Sequence, residues 1–243
     1  MPAAVVVLCG ALGLAAGVGI DAVAARFPWT PWKRSWRRRD DTPSAPGVSA
    51  PQRHDRGGGE RVAVALGTAA LFVLVALRVG GNASLPAFLA LAGAAVLLAV
   101  IDLKHHLLPD RVTLPALGAG AVLLTGAAAV HGDWAALGRA VAAAVVLFLV
   151  FLVLALIAPS GLGFGDVKLS ALLGLYLGWL GWAAVLVGAV AAFVVQAVLA
   201  LALLAARRID LRGELPFGPA MLLGAALAIG WPGALVGSAG LLH

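Results

Sequence analysis

Charge is scarce in this chain: 12% of its 243 residues are Asp, Glu, Lys or Arg, and it holds one cysteine and one tyrosine. Soluble domains carry about 25% charged and roughly 45–50% apolar residues, whereas 62% of this chain is hydrophobic. A water-soluble globular fold is thereby excluded. Cys9, alone, can form neither an internal disulfide nor a four-thiolate zinc site, and it reads as a small apolar helix residue. Alternating polarity is missing too. A membrane β-barrel needs strands of about 10 residues that alternate in polarity, and the apolar runs here are unbroken Ala, Leu, Val and Gly. What remains is an all-α, polytopic transmembrane helical bundle, and at roughly 20 residues per span the apolar content supplies about seven or eight spans.

Apolar runs bounded by charge or by Gly and Pro predict spans at 3–25, 62–80, 84–101, 112–131 and 138–158. The charge-free stretch 169–206 is too long for one span and suits two, turning near Gly178-Trp179-Leu180-Gly181-Trp182; residues 216–241 give the eighth. The first span has no basic segment before it and no small-residue cleavage site after it, so it reads as retained. The chain divides into that span (1–26), a basic loop (27–61) and a membrane core (62–243). The loop is rich in Arg, Pro, Gly, Ser and Asp and is expected to be largely disordered. Its first third interleaves Trp29, Trp32 and Trp36 with basic residues, which suits a segment resting on anionic headgroups.

Of the 17 Lys and Arg residues, all but Arg78 and Arg139 fall in loops on one side of the predicted bundle. The positive-inside rule puts those loops in the cytoplasm and both termini outside. The formal charge of +6 then reports orientation, and a nucleic-acid partner is not expected.

Ionisable residues at span edges are functional candidates by default, and two clusters stand out. One runs from Asp102 through Lys104-His105-His106-Leu107-Leu108-Pro109-Asp110 to Thr113-Leu114-Pro115; the other is Gly161-Leu162-Gly163-Phe164-Gly165-Asp166-Val167-Lys168. The topology puts both on the same side at similar depth, so Asp102 and Asp166 can meet. Paired carboxylates suit aspartyl hydrolysis: like charges split their titrations, supplying an ionised base and a protonated acid from one residue type, and the pair titrates as a unit. Gly161, Gly163 and Gly165 either free the backbone for an extended peptide partner or simply break a helix. Asp110 competes with Asp102 for the first role but follows Pro109, and reads better as the N-cap of the fourth span or as a substrate-facing acid. Lys168 either holds Asp166 ionised or anchors its span at the interface. Glu214 is a weaker candidate for attracting a basic segment. His105 and His106 lack a metal-ligand spacing, and no metal site is expected. Gly13-x-x-x-Gly17 and Gly174-x-x-x-Gly178 read as helix-packing pairs.

These residues resemble the prepilin peptidases, membrane aspartyl proteases of the GxGD class. The resemblance rests on Asp102 followed by Leu108-Pro109-Asp110 and Thr113-Leu114-Pro115, on Gly163-Phe164-Gly165-Asp166-Val167-Lys168-Leu169, and on Leu215-Pro216-Phe217-Gly218-Pro219 opening the last span. It covers roughly 62–241 and touches Gly17 through Pro28. It implies that 62–243 is an aspartyl peptidase core in the inner (plasma) membrane, with Asp102 and Asp166 catalytic and Asp110, Gly163, Gly165 and Lys168 binding substrate or supporting the site. The implied substrates are type IV prepilins or pseudopilins, whose basic leader is cut at the cytoplasmic face without a cofactor. Bifunctional members carry two Cys-x-x-Cys pairs in the first loop and also methylate the new N-terminus. Residues 27–60 hold no cysteine, which leaves that second activity open.

Two rivals are weaker. A serine intramembrane protease needs a nucleophilic Ser with a base inside the bundle; Ser160 lies at a boundary and all five histidines lie outside the spans or at their edges. A transporter or proton-coupled channel using the same acidic residues would want charge at mid-span, and Asp21, toward one end of the first span, comes closest.

Overall fold

The computed structural model describes residues 3–26, 58–105, 108–158, 162–206 and 216–230. Most of the basic loop, with His106, Ser160, Gly161, Glu214 and Leu215, lies outside the described residues, as do the side chains of Asp21, Lys104 and His105. The described chain forms eight helices: α1 (Ala3–Arg26), α2 (Gly58–Val79), α3 (Leu85–His105), α4 (Asp110–His131), α5 (Trp134–Ile157), α6 (Phe164–Leu180), α7 (Trp182–Ala205) and α8 (Gly218–Gly230). Six of them, α1 to α5 and α7, are long and apolar enough to cross a membrane. The protein is a multi-pass all-α bundle. Leu149, Val153 and Leu156 on α5 are more than half exposed, an aggregation liability in water and an ordinary face against lipid.

The starts of α2, α4, α5 and α6 fall upstream of the predicted span edges, while α3 and α8 start slightly downstream of theirs. The Asp133 carboxylate accepts a hydrogen bond from the Ala136 N–H at 3.0 Å, so α5 begins at Trp134 rather than at 138. α6 begins at Phe164, so Asp166 falls in its first turn and Lys168 just after it. The predicted turn within 169–206 occurs at Gly181, whose φ of 139° is one that side chains other than glycine's rarely adopt.

Consecutive helices pack most extensively as the pairs α1/α2, α5/α6 and α7/α8. Lipid tails are as apolar as the helices, so association rests on close van der Waals contact at small residues. The two predicted glycine pairs serve this purpose. Gly13 and Gly17 lie against the backbone of Ala69 and Ala65 on α2, and Gly174 and Gly178 against α5. At Gly178 a Cβ would stand 2.9 Å from both the Ala140 Cα and the Arg139 carbonyl oxygen, with no flexible side-chain tip there to move aside. At the same seam the Ser170 hydroxyl shares its one proton between the Val167 carbonyl of its own helix at 2.7 Å and the Leu147 carbonyl of α5 at 3.2 Å.

α6 also touches α4, α7 and α8, and eleven of its 17 residues are buried. A helix apolar all round is one buried all round. Arg139, expected in a loop opposite the acidic clusters, lies in α5 and closes the far end of α6: its Nε donates to the Gly178 carbonyl at 2.8 Å and its Nη2 to the Trp179 carbonyl at 3.0 Å. A cation there satisfies carbonyls that the helix itself leaves unpaired.

Replacing Gly178 with Leu is expected to force α5 and α6 apart, costing about 1–3 kcal/mol or more by overpacking. Thermal unfolding in detergent would show a lowered Tm for Gly178→Leu and an unchanged one for Gly126→Leu, since a Cβ at Gly126 meets nothing within 4 Å.

Candidate functional site

The C-terminal end of α3 and the N-terminal ends of α4, α6 and α8 converge at one end of the bundle. Asp102, in the last turn of α3, is 4% exposed, and Asp166, in the first turn of α6, is 8% exposed. Leu108 approaches both Gly165, which precedes Asp166, and Gly218, which faces Asp102, so the two acids lie around one segment. The convergence that the topology predicted for these two acids is present.

Asp166 is held by its own helix. The Gly163 N–H donates to Asp166 Oδ2 at 3.1 Å, while the Asp166 N–H donates to the Gly163 carbonyl at 3.0 Å. This is the carboxylate arm of a capping box, with an acid at the positive end of the helix. Gly163 reaches this geometry at φ −78° and Gly165 is helical, so neither uses a conformation reserved for glycine. Of the two readings left open for these glycines, special backbone freedom is not used at Gly163 or Gly165 in this structure. Gly165 matters for closeness instead: a Cβ there would come within 2.8 Å of Leu108 Cβ. The chain it admits in this structure is its own.

Asp102 faces α8. A Cβ at Gly218 would run into the Asp102 carboxylate and would lie 3.4 Å from Leu108 Cδ1. Leu108 thus touches both the Gly165 and the Gly218 approaches. Phe217 pins the start of α8, with its ring centroid 6.1 Å from that of Phe151 on α5 and 5.3 Å from that of Phe193 on α7. The Phe-Gly-Pro sequence therefore has a local explanation: an aromatic anchor, a residue without a side chain beside Asp102, and a proline in the first helical turn where its missing N–H costs nothing.

Two expectations are corrected here. The N-cap of α4 is Pro109, and Asp110 is the first helical residue. Lys168, considered as a partner for Asp166, pairs instead with Asp110, Nζ to Oδ1 at 2.6 Å, and its ammonium also lies 4.9 Å above the Phe164 ring. The pair links the starts of α4 and α6 at the mouth of the site, with the Asp110 side chain 55% exposed and that of Lys168 21% exposed. Sequence reasoning gave no role to Leu108 or Gly218, although both lie in motifs it singled out.

A family model described as the type IV leader peptidase family matches residues 88–229, well over half the chain and a stretch that includes Asp102, Asp166 and Gly218. No curated protein and no solved structure matches.

The Asp110–Lys168 pair is half open to solvent, and such pairs contribute about 0–1 kcal/mol. A double-mutant cycle of Asp110→Asn and Lys168→Met, read by unfolding in detergent, is expected to give a coupling below about 1 kcal/mol that shrinks as salt is added.

Proposed function

The chain belongs to the type IV leader peptidase family, and from that premise we propose that it is a membrane aspartyl endopeptidase that removes the basic leader of type IV prepilins or pseudopilins. Asp102 and Asp166 are its catalytic pair. The observation that supports the reading is two buried carboxylates gathered at one end of the bundle, Asp166 accepting from the Gly163 N–H and Asp102 facing Gly218.

The pair works with one proton. The ionised carboxylate takes a proton from water as the water oxygen attacks the scissile carbonyl. The protonated partner donates to the carbonyl oxygen, and the tetrahedral intermediate collapses with a proton delivered to the departing amine. The proton belongs to the pair rather than to either residue. The Gly163 N–H fixes the orientation of Asp166, Gly165 lets the Leu108 segment close on α6, and the exposed Asp110, paired with Lys168, offers negative charge to a basic leader.

The distribution of Lys and Arg supports this end of the bundle lying at the cytoplasmic face, and the resemblance to the prepilin peptidases supports the plasma membrane as its location. The leader then stays at the membrane surface while the apolar pilin segment lies in the bilayer. Supplying a methyl donor in the processing assay shows whether the chain also methylates the new N-terminus without the cysteine pairs.

Reconstituted with a prepilin, Asp102→Asn and Asp166→Asn are each expected to lower kcat by about 10²–10⁴-fold with little change in KM. Processing at the wild-type rate by both variants would remove the dyad from the mechanism, and ion flux without cleavage would favour a transporter.

A further inference from the structure

A cleft of about 110 Å³ opens between α2, α3 and α8, with Leu173 of α6 also lining it. Each of the three helices gives the cleft one face repeating at i, i+3, i+4 and i+7: Leu71 to Arg78 on α2, Phe88 to Ala95 on α3 and Leu222 to Ile229 on α8. The spacing is that of a helix stripe. Its rim is open, with Leu74 53% exposed, and its depth is closed, with Phe88 1% exposed.

Position relative to the aspartates gives the cleft its meaning. Two of its walls, α3 and α8, are the helices that bring Asp102 and Gly218 together. At 1.5 Å per residue, the cleft lining on α3 begins about 10 Å from Asp102 and continues to about 21 Å. It therefore runs from just beyond the site toward the opposite leaflet. Among the described residues its one charged lining residue is Arg78, in the last turn of α2 and at that far end.

We infer that this cleft seats the apolar helical segment of the substrate that follows the scissile bond, an inference that rests on the peptidase reading above. A segment whose N-terminal end is held at Asp102 and Asp166 would descend along α3 and α8 and bring its C-terminal end toward Arg78. A cation beside the carbonyl end of a helix is the favourable arrangement, so both the apolar lining and the single charge match a helix lying in that direction. The leader would then be read at the mouth and the apolar segment in the cleft, and only a substrate with both would place its junction between the carboxylates.

The test is disulfide trapping in membrane vesicles with the full chain, in a Cys9→Ala background, and a type IV prepilin carrying single cysteines along the first 20 or so residues after the cut. Ala226→Cys, about 12 Å along α8 from Gly218, is expected to capture a narrow window roughly eight residues past the junction. Leu149→Cys, on the lipid-facing side of α5, captures none. Ala226→Trp, filling the cleft, is expected to raise KM for the prepilin about tenfold with kcat within twofold, and Arg78→Gln to raise KM less. Capture from Leu149→Cys as strong as from Ala226→Cys, or an unchanged KM in a folded Ala226→Trp protein, would overturn the cleft as the substrate seat and leave it to lipid. In those outcomes cleavage still depends on Asp102 and Asp166; loss of that dependence would instead overturn the peptidase reading.

Discussion

Close approach of helix backbones in a medium that does not itself drive helices together is the constraint on which this protein depends. In lipid, association has to come from contact and from polar groups that find partners. The chain meets the first requirement with glycine and alanine at the α1/α2, α5/α6 and α7/α8 seams. It meets the second with few groups, such as Ser170 on the Leu147 carbonyl and Arg139 on the last carbonyls of α6. The result is a central helix, α6, walled by α4, α5, α7 and α8, whose first turn carries Asp166. A carboxylate on a helix free to shift could not be kept at the same end of the bundle as the one on α3.

The same closeness operates at the site. Gly218 has no side chain where the Asp102 carboxylate lies, Gly165 has none where Leu108 lies, and Leu108 reaches toward both. Phe217, buried between Phe151 and Phe193, keeps the start of α8 from sliding along its axis. The two acids are thus positioned by what their neighbours lack. That economy suits a site at a membrane edge, where every added polar group would itself need a partner. The exposed Asp110–Lys168 pair belongs to the mouth, where water is available to it.

Much of this is legible in the sequence alone. Runs without charge marked the spans, the single break in 169–206 was located to the turn that Gly181 makes, and the two small-residue pairs were read as packing seams. Asp102 and Asp166 followed from topology, because ionisable residues at span edges are costly enough to stand out. What sequence could not give was partnership across helices. Nothing local says that Lys168 pairs with Asp110 rather than Asp166, since that depends on α4 and α6 starting side by side. Gly218 shows only as a motif residue until α8 is packed against α3. The charge-free run puts the start of α6 too late because Asp166 and Lys168 read as boundary charges. An acid in the first turn is in fact favourable, accepting from Gly163 and meeting the positive end of the helix.

The central claim is that the two carboxylates act as one unit. Residues that act as a unit give strongly non-additive losses, so the most direct measurement is the residual rate of leader cleavage by the double variant Asp102→Asn/Asp166→Asn beside the two single variants, in vesicles at matched amounts of folded protein. The account predicts that the double variant is no slower than the slower single variant. Losses that multiply, or a single variant that cleaves at the wild-type rate, would contradict it.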